Sequence, residues 1–564
     1  MFEKEVRKFI KEKTKFSSDE ILLERPRVDG QGDLSFPCFR IAGKLKKKPI
    51  DAAIEIASLL RKSLPPIIKR IDVLGGYVNF FFDDRLLAAQ AIKEAIEGKQ
   101  ELKEIGKGKH IVIDFSSPNI AKPMSIGHLR STIIGNSLCK IFSALGYKVT
   151  AINYLGDYGT QFGSLLAAYS MWGNEFKDEL KKNPIQALLK LYIKFNAETE
   201  KNEKLKEYAR AWFKKLENDD KKAQELWKQF RDLSLKEFKK FYKDLGVRFD
   251  VYSGESFFRK EAKKIIEEFK NKGIAVESAG AFIVDLKKYG MTTPLLLEKS
   301  DGTTLYSTRD IAATVENYKK YKFDKIIFVV GTDQNLHFKQ LFKTFEIAGY
   351  PFAKKCVHVN FGLIYMPTGR LSTRKGEIVF LEEVFDKIIA LARDIVKNEK
   401  MSEKEKNEIA KAVGISALIY SDLSNDRIKD ISFDWKKMLM LEGDSGPYLQ
   451  YTYARASSIL RKAKARKIDE SSYVLLNSKE ELALIRHLGN FSSAVEDSAS
   501  HYSPHIIANY ASKLAELFNT FYAVCPVLSA DENTKEARLV VVSAVKQVMG
   551  QCMNLLGMHV LERM

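Results

Sequence analysis

The stretch that decides the fold runs from residue 111 to residue 153: IVIDFSSPNIAKPMSIGHLRSTIIGNSLCKIFSALGYKVTAIN. Its first five residues, IVIDF, form a short β-branched and aromatic run, which is typical of a buried parallel strand. A loop with two prolines follows, then a helical stretch from Ile126 to about Leu145 and a second strand, KVTAIN (148–153). Strand, loop, helix and strand in this order predict a βαβ unit and a doubly wound parallel sheet.

The sequence on either side of this unit divides the chain into four parts. Residues 1–105 predict a small α/β domain, which includes the strand-like run YVNFFF (77–82). A Rossmann-type domain spans 106–380, and lysine- and glutamate-rich helical sequence interrupts it from about 165 to 290. Strand-like sequence returns in KIIFVVG (325–331) and VHVNFGLIY (357–365). A helical connection (381–440) and an all-α bundle (441–564), with apolar positions three and four apart, complete this multidomain α/β chain.

Length and composition narrow the class of protein. A chain of 564 residues, with 45% hydrophobic and 29% charged residues, predicts a folded protein of several domains rather than a disordered one. The net charge of +19 favours a polyanionic partner such as nucleic acid. Five scattered cysteines form no C-x-x-C pair, so neither a disulfide framework nor a zinc site is indicated. No apolar run approaches a membrane span, and we expect a cytoplasmic protein without a membrane partner.

The start of the helix after the first strand is the first candidate for chemistry. Ser125 is a suitable N-cap and places Gly127 and His128 in the first turn, where free backbone N–H groups and the helix dipole favour an anion. His128 and the loop residue Lys122 could donate to charge that develops on a phosphoryl group. On these residues alone, a capped helix with an incidental histidine remains the alternative.

The longer string FSSPNIAKPMSIGHLRSTIIGNSL (115–138) resembles the HIGH signature region of class I aminoacyl-tRNA synthetases, in the form found in arginyl-tRNA synthetases. The resemblance extends over nearly the whole chain. It is carried further by NYLGDYGTQFG (153–163), DGTTLYSTRDIAA (301–313), GTDQNLHFKQ (331–340), GDSGPYLQYTYARASSIL (443–460) and LGMHVLERM (556–564), the last two resembling the anticodon-binding domain.

This resemblance implies an arginine–tRNA ligase. The expected reaction joins L-arginine and ATP, with Mg²⁺, to give arginyl-adenylate and pyrophosphate, and then transfers arginine to the 3′-terminal adenosine of tRNA(Arg). The resemblance implies a monomer with no protein-bound metal, an N-terminal domain that touches the tRNA elbow, and arginine activation only after tRNA has bound.

The resemblance also implies a role for individual residues. The catalytic residues it implies are Lys122, Gly127 and His128, with His128 stabilising the α-phosphate. The ATP-binding residues are these three together with Ser125, Arg374 and Lys375, and the arginine-binding residues are Ser117, Asn119, His128, Tyr306, Asp310 and Gln334. A carboxylate such as Asp310 suits a guanidinium because it can accept two parallel hydrogen bonds. Without the resemblance, a first-turn acid of a helix is an equal interpretation of Asp310.

Two departures from the class pattern stand out. Ser125 replaces the first histidine of the HIGH signature. The counterpart of the second signature, KMSKS, is RLSTRKG (370–376), where Arg370 and Thr373 stand in place of the two lysines. Arginyl-tRNA synthetases that lack the second lysine resemble this chain in having a lysine at the position of Lys122. We therefore expect Lys122, with Arg374 or Lys375, to neutralise the triphosphate.

The predicted RNA contacts are Tyr448, Gln450, Tyr451 and Arg455, where aromatic rings alternate with groups that can read unpaired bases. Two rival functions remain. Another class I synthetase, such as the cysteinyl enzyme, is disfavoured because no cysteine and histidine set offers zinc. A catalytically silent tRNA-binding relative is the second rival, and Ser125 is its support.

Overall fold

A computed structural model describes residues 2–24, 26, 28, 30–97, 102–366, 369–370, 379–396, 401–463 and 475–564. The chain forms two compact units. One consists of Met1–Gly98, Ile459–Phe491 and Leu517–Val548, and the other of Lys99–Ser458, Ser492–Glu516 and Met549–Met564. The four-part division drawn from the sequence stays a prediction.

The strands are numbered in chain order. They are β1 (Leu34–Pro37), β2 (Ile68–Leu74), β3 (Tyr77–Phe82), β4 (His110–Asp114), β5 (Lys148–Leu155), β6 (Val251–Gly254), β7 (Val276–Ser278), β8 (Ala281–Val284), β9 (Leu295–Glu298), β10 (Lys325–Gly331), β11 (Cys356–Phe361), β12 (Ile364–Met366), β13 (Gly369–Arg370) and β14 (Ile431–Ser432).

The α-helices are numbered in the same way across the described residues. They are α1 (Phe2–Thr14), α2 (Phe39–Leu45), α3 (Pro49–Arg61), α4 (Asp84–Glu97), α5 (Ile126–Ala144), α6 (Thr160–Trp172), α7 (Lys177–Lys182), α8 (Pro184–Lys201), α9 (Lys204–Glu217), α10 (Lys221–Asp244), α11 (Arg259–Asn271), α12 (Tyr306–Tyr321), α13 (Asn335–Ile347), α14 (Leu381–Arg393), α15 (Glu403–Leu423), α16 (Trp435–Met438), α17 (Gly446–Ala463), α18 (Lys479–Leu488), α19 (Phe491–Ser500), α20 (His505–Val524) and α21 (Glu532–Leu556).

The centre of the larger unit is a five-stranded sheet in the order β11-β10-β4-β5-β6, and every neighbouring pair in it is parallel. Fully buried Val112, Ile152 and Ile326 show why the β-branched runs form its inner strands. The predicted strand 357–365 is divided in the structure between β11 and β12. Gly362 lies at the break, where an added Cβ would come within 2.6 Å of an Asp430 carboxylate oxygen.

The stretch from 165 to 290 is less uniformly helical than the sequence predicts. Helices α6 to α10 fill its first part, but β6 then returns as an edge strand of the central sheet beside β5. A small antiparallel sheet of β7, β8 and β9 follows. Strands of three or four residues carry too little alternation to be recognised in the sequence.

The smaller unit contains the antiparallel sheet β1-β3-β2. Its apolar core includes Phe36 and Phe80 from the sheet and Ile56 from α3. Within the same unit, the Arg486 guanidinium of α18 donates to the carboxylate of Asp33 at 2.7 Å and also to that of Asp84.

Helix α21 is long and apolar enough, by composition alone, to span a membrane. However, 67% of its most apolar window is buried inside the protein. Its apolar residues therefore serve as core, among them Val541, Val545 and Met549.

Candidate active site

The candidate site lies at the carboxyl edge of the central sheet, where β4 ends at Asp114 and β10 ends at Gly331. From β4 the chain passes through α5 to β5 on one side, whereas β10 pairs with β4 on the other side. The connections therefore diverge between β4 and β10. In open parallel sheets, a ligand cleft forms at such a point.

The loop between β4 and α5 has an unusual backbone. Three residues other than glycine adopt left-handed conformations, Ser116 with φ of 73°, Ser117 with φ of 43° and Ala121 with φ of 59°. Each such conformation costs about 1–3 kcal/mol and persists only where neighbouring groups enforce it. The shape of this loop is therefore imposed by its surroundings.

Helices α5 and α10 supply the groups that enforce it. The Ser116 amide donates to Ser131 Oγ at 2.9 Å, and Ser116 Oγ lies 2.8 Å from the Tyr242 hydroxyl. The Ala121 amide donates to the buried Ser234 Oγ at 2.8 Å. Because Ser234 and Tyr242 belong to α10, the helical segment that follows β5 shapes the loop.

The N-cap predicted at Ser125 is confirmed, and it has a second role. The Ser125 amide donates to His128 Nδ1 at 3.1 Å, and Ser125 Oγ lies 3.0 Å from the same nitrogen. With Nδ1 accepting, the neutral imidazole carries its proton on Nε2. Burial, helped by the positive charge of Lys122, lowers the pKa of His128 to about 4. His128 is therefore a neutral hydrogen-bond donor at physiological pH.

Gly127 leaves room for a ligand at the same helix end. The residue is exposed, and a Cβ added to it would meet only Ser125 Oγ, at 3.6 Å. A flat ring or a phosphate can thus approach the backbone there.

Asp310 and Tyr306 lie one turn apart on α12, which begins at Tyr306. Asp310 Oδ2 is 2.9 Å from His337 Nε2 of α13, and the Tyr306 ring centre is 5.0 Å from that of His337. Tyr306 is half exposed. The sequence pattern alone indicates no role for His337, although this residue lies in the block 331–340.

Asp114, the last residue of β4, is a further candidate site residue, which the sequence motifs did not indicate. Its carboxylate accepts a hydrogen bond from Ser117 Oγ at 3.0 Å. Burial, reinforced by the negative charge of Asp310, raises the pKa of Asp114 to about 7. Two acidic side chains thus share the pocket. The signal for Asp114 was its position at the end of the strand before the signature.

Arg309 does not neutralise this acidic pocket. Its guanidinium lies 2.6 Å from the carboxylate of Glu255, and it also donates to the Thr304 carbonyl at 2.8 Å. Arg309, which precedes Asp310 in the sequence, is therefore already paired with Glu255.

Asn119 and Gln334 lie on the two loops that border the cleft. Asn119 is exposed and forms a parallel bridge with Gly156, where an added Cβ would meet Asn119 Oδ1 at only 2.1 Å. Gln334 ends a short 3₁₀ helix after β10, and its Nε2 is 3.3 Å from an Asp333 carboxylate oxygen. Close packing on Gly156 thus fixes the position of Asn119.

The Lys122 ammonium lies 5.2 Å from the centre of the Tyr192 ring. Arg374 and Lys375, with Thr373, lie outside the described residues, as does most of RLSTRKG.

Across the described ranges, no group of three or more His, Cys, Asp or Glu residues could hold a metal ion.

The four predicted RNA contacts differ in accessibility. Tyr451 is 37% exposed, and the Arg455 guanidinium stacks on its ring at 4.6 Å. Tyr448 is partly exposed. Gln450 is fully buried, and its amide donates to Ser416 Oγ at 3.1 Å and to the His559 carbonyl at 2.8 Å. Packing against α15 and His559 buries the Gln450 side chain, so this structure does not expose Gln450 to RNA and its predicted RNA contact stays a prediction.

Comparison with known proteins places this chain in a family. A family model for the catalytic domain of class I (R) tRNA synthetases matches residues 91–435, and models of the arginyl-tRNA synthetase N-terminal domain and the DALR anticodon-binding domain match 1–82 and 449–564. An arginine–tRNA ligase of Halothermothrix orenii is 45% identical over 97% of this chain and 96% of its own length. The chain belongs to the arginyl-tRNA synthetases.

Other arginyl-tRNA synthetases agree with this assignment. The arginine–tRNA ligase of Clostridioides difficile is 44% identical over 97% of this chain and 96% of its own length. The arginyl-tRNA synthetase structure of Thermus thermophilus superposes with a TM-score of 0.85 at 24% identity and covers both chains completely. The predicted fold class and the predicted family are both confirmed, and the chain is an aminoacyl-tRNA ligase.

Proposed function

We propose that this arginyl-tRNA synthetase activates L-arginine with ATP in the cleft between the ends of β4 and β10, and then charges tRNA(Arg). One observation carries the assignment of the site. A neutral histidine donor at an open helix start and a pocket with two carboxylates share one edge of the sheet. The first suits the phosphates of a nucleotide, and the second suits a cationic amino acid.

On the nucleotide side, the α-phosphate would lie at the start of α5. His128 Nε2–H would donate to its oxygens, and Gly127 would leave space for the adenosine. The Ile126 and His128 amides of the first turn already donate to the Val379 and Ser125 carbonyls, at 3.2 and 3.0 Å. Lys122, with Arg374 or Lys375, would neutralise the triphosphate. Mg²⁺ would arrive with ATP and spread its phosphate charge, and we assign it no protein ligand.

Ser125 supports activity rather than a silent relative. Its amide and hydroxyl both point at His128 Nδ1, at 3.1 and 3.0 Å, and so keep the proton on Nε2. In this chain the residue that replaces the first signature histidine therefore orients the second one.

On the amino-acid side, the Asp310 carboxylate would take the guanidinium, with Tyr306 and Gln334 alongside. Asp310 is fixed by His337, so its orientation is set before arginine binds. Asp114 and Ser117 would hold the α-ammonium group, and Asn119 the carboxylate end. Ionised Asp114 would form the stronger pair with a cation.

The chemistry needs no covalent nucleophile from the protein. A carboxylate oxygen of arginine attacks the α-phosphorus of ATP, and the bond from that phosphorus to the pyrophosphate leaving group breaks. The residues above position the two substrates and stabilise charge on the phosphoryl oxygens. The 3′-terminal adenosine of tRNA then attacks the arginyl carbonyl, and AMP leaves.

The remaining assignments extend from the site to the partner. Tyr448, Tyr451 and Arg455 would stack on and read unpaired tRNA bases. The N-terminal domain would touch the tRNA elbow. We propose a cytoplasmic monomer, as the sequence analysis predicts.

The test is ATP–pyrophosphate exchange with each amino acid, with and without tRNA(Arg). We expect exchange with arginine when tRNA is present, and its absence would overturn the proposal. Asp310→Asn should raise the arginine KM by about 10- to 100-fold, because it removes the negative charge and one of the two oxygens that accept hydrogen bonds from the guanidinium. Lys122→Ala should slow adenylate formation, and a wild-type rate would remove Lys122 from the site.

A further inference from the structure

The Lys122 ammonium has an unusual environment for a lysine in this region. Across the described residues it forms neither an ion pair nor a hydrogen bond, and its close neighbour is the Tyr192 ring at 5.2 Å. Two lysines near Tyr192 on the same helix differ: Lys190 is paired with Glu179, and Lys194 with Glu175 at 2.6 Å. Lys194 also lies 4.6 Å from the centre of the Trp172 ring. Lys122 therefore differs from these two lysines because, among the described residues, it has an aromatic contact without a carboxylate partner.

Tyr192 is held by its helix rather than by its own hydroxyl. Its neighbours Leu191 and Phe195 on α8 are buried, which fixes this part of the helix in the core. Tyr192 is itself partly buried, and its hydroxyl has no hydrogen-bond partner in the part of the chain that the structure describes. The ring face, not the hydroxyl, is what the helix presents to Lys122.

An aromatic face and a carboxylate have different effects on a nearby ammonium group. A carboxylate neutralises it, and the pair must break before a phosphate can bind. A ring face attracts the cation through its quadrupole and leaves its net charge intact. Tyr192 can thus hold Lys122 in one place while the charge remains available to an anion.

We propose that Tyr192 is a positioning residue for adenylate formation, which holds the Lys122 ammonium for the triphosphate of ATP. This inference rests on the proposed role of Lys122. Two other contacts between α10 and the same loop support it. Ser234 Oγ accepts from the Ala121 amide, and the Tyr242 hydroxyl lies 2.8 Å from Ser116 Oγ. The segment between β5 and β6 thereby sets both the backbone of this loop and the side chain of Lys122.

The test compares Tyr192→Leu with Tyr192→Phe in the full-length enzyme with tRNA(Arg) present. Tyr192→Leu removes the ring and should lower kcat/KM for ATP in pyrophosphate exchange by about 3- to 10-fold, with the arginine KM unchanged. Tyr192→Phe keeps the ring face and should stay within about twofold of wild type. Tyr208→Leu, on α9 of the same segment, is the matched control for loss of a partly exposed tyrosine ring.

A double-mutant cycle then separates positioning from a general structural effect. If Tyr192 acts through Lys122, Tyr192→Leu should cause no further loss in a Lys122→Met background. An equal loss in both backgrounds, or equal impairment of the Phe and Leu variants, overturns the inference. If Lys122→Met alone leaves kcat/KM for ATP unchanged, the proposed role of Lys122 fails. A defect in Lys122→Met with wild-type behaviour of Tyr192→Leu overturns only the role of Tyr192.

Discussion

Replacing Asp422 by asparagine should strongly destabilise the larger unit, because it leaves a buried guanidinium without its counter-charge. Arg130 lies on α5, two positions after His128, and its Nε is 3.1 Å from an Asp422 carboxylate oxygen of α15. The two side chains are only 1% and 2% exposed. Water therefore cannot replace the lost carboxylate charge.

The structure sets the size of the effect. Removing one partner of a buried ion pair costs about 3–5 kcal/mol. Two features reduce this cost. In the variant, Arg130 keeps its hydrogen bond to the Lys429 carbonyl at 2.9 Å and its contact with the Phe361 ring at 5.9 Å. In addition, asparagine has nearly the same volume as aspartate, so no cavity forms. We therefore expect a value near the lower limit, about 3 kcal/mol.

Urea unfolding followed by circular dichroism measures this loss in the free energy of unfolding. The control is Lys513→Met, which breaks an exposed pair with Glu516 and should cost less than about 1 kcal/mol. A double variant, Arg130→Met with Asp422→Leu, removes both charges and should recover stability to within about 1 kcal/mol of wild type.

Two results would contradict the argument. A loss below about 1 kcal/mol in Asp422→Asn would mean that the buried guanidinium is compensated by other groups. A double variant as unstable as the single one would mean that packing volume, and not the unpaired charge, decides stability at this position.

Three further predictions concern the pocket and the smaller unit. The pKa of Asp114 is raised to about 7, so Asp114 gains its negative charge as the pH rises from 6 to 8, and the arginine KM should fall over that interval. Asp114→Asn should abolish this pH dependence. If the variant keeps the wild-type pH profile, Asp114 does not cause the dependence. Gly156→Ala places a methyl group 2.1 Å from Asn119 Oδ1 and should raise the arginine KM about tenfold or more in pyrophosphate exchange, whereas a wild-type KM would exclude Asn119 from the pocket. The Arg486 guanidinium is 40% exposed and forms ion pairs with Asp33 and Asp84. Arg486→Met removes both pairs and should lower the free energy of unfolding, measured in urea, by about 1 kcal/mol. An unchanged free energy of unfolding would show that these pairs do not stabilise the unit.

Much of the catalytic fold could be predicted because its signals are local. The β-branched runs that became β4, β5 and β10 are buried in the sheet, and Ser125 caps α5 as expected. Strand propensity, capping and helical periodicity depend on residues within a few positions of one another. The four-residue strand β6 was missed because it is too short to show a pattern.

The contacts that the sequence did not indicate depend on distant neighbours. His337 and Asp310 are 27 positions apart, and Gln450 is buried by contacts with Ser416 and His559 from other parts of the chain. A polar residue among tyrosines looks available for RNA until the packing of its helix is known.

The sequence by itself determined the parallel sheet, the helix start that can receive a phosphate, and the family, because strand runs, caps and ordered motifs are written in neighbouring residues. Only the tertiary structure decided the tautomer of His128, the raised pKa of Asp114, the partner of Asp310 and the ring beside Lys122. Each of these depends on burial or on a charge that a separate element brings close, and such proximity follows from the topology of the whole chain.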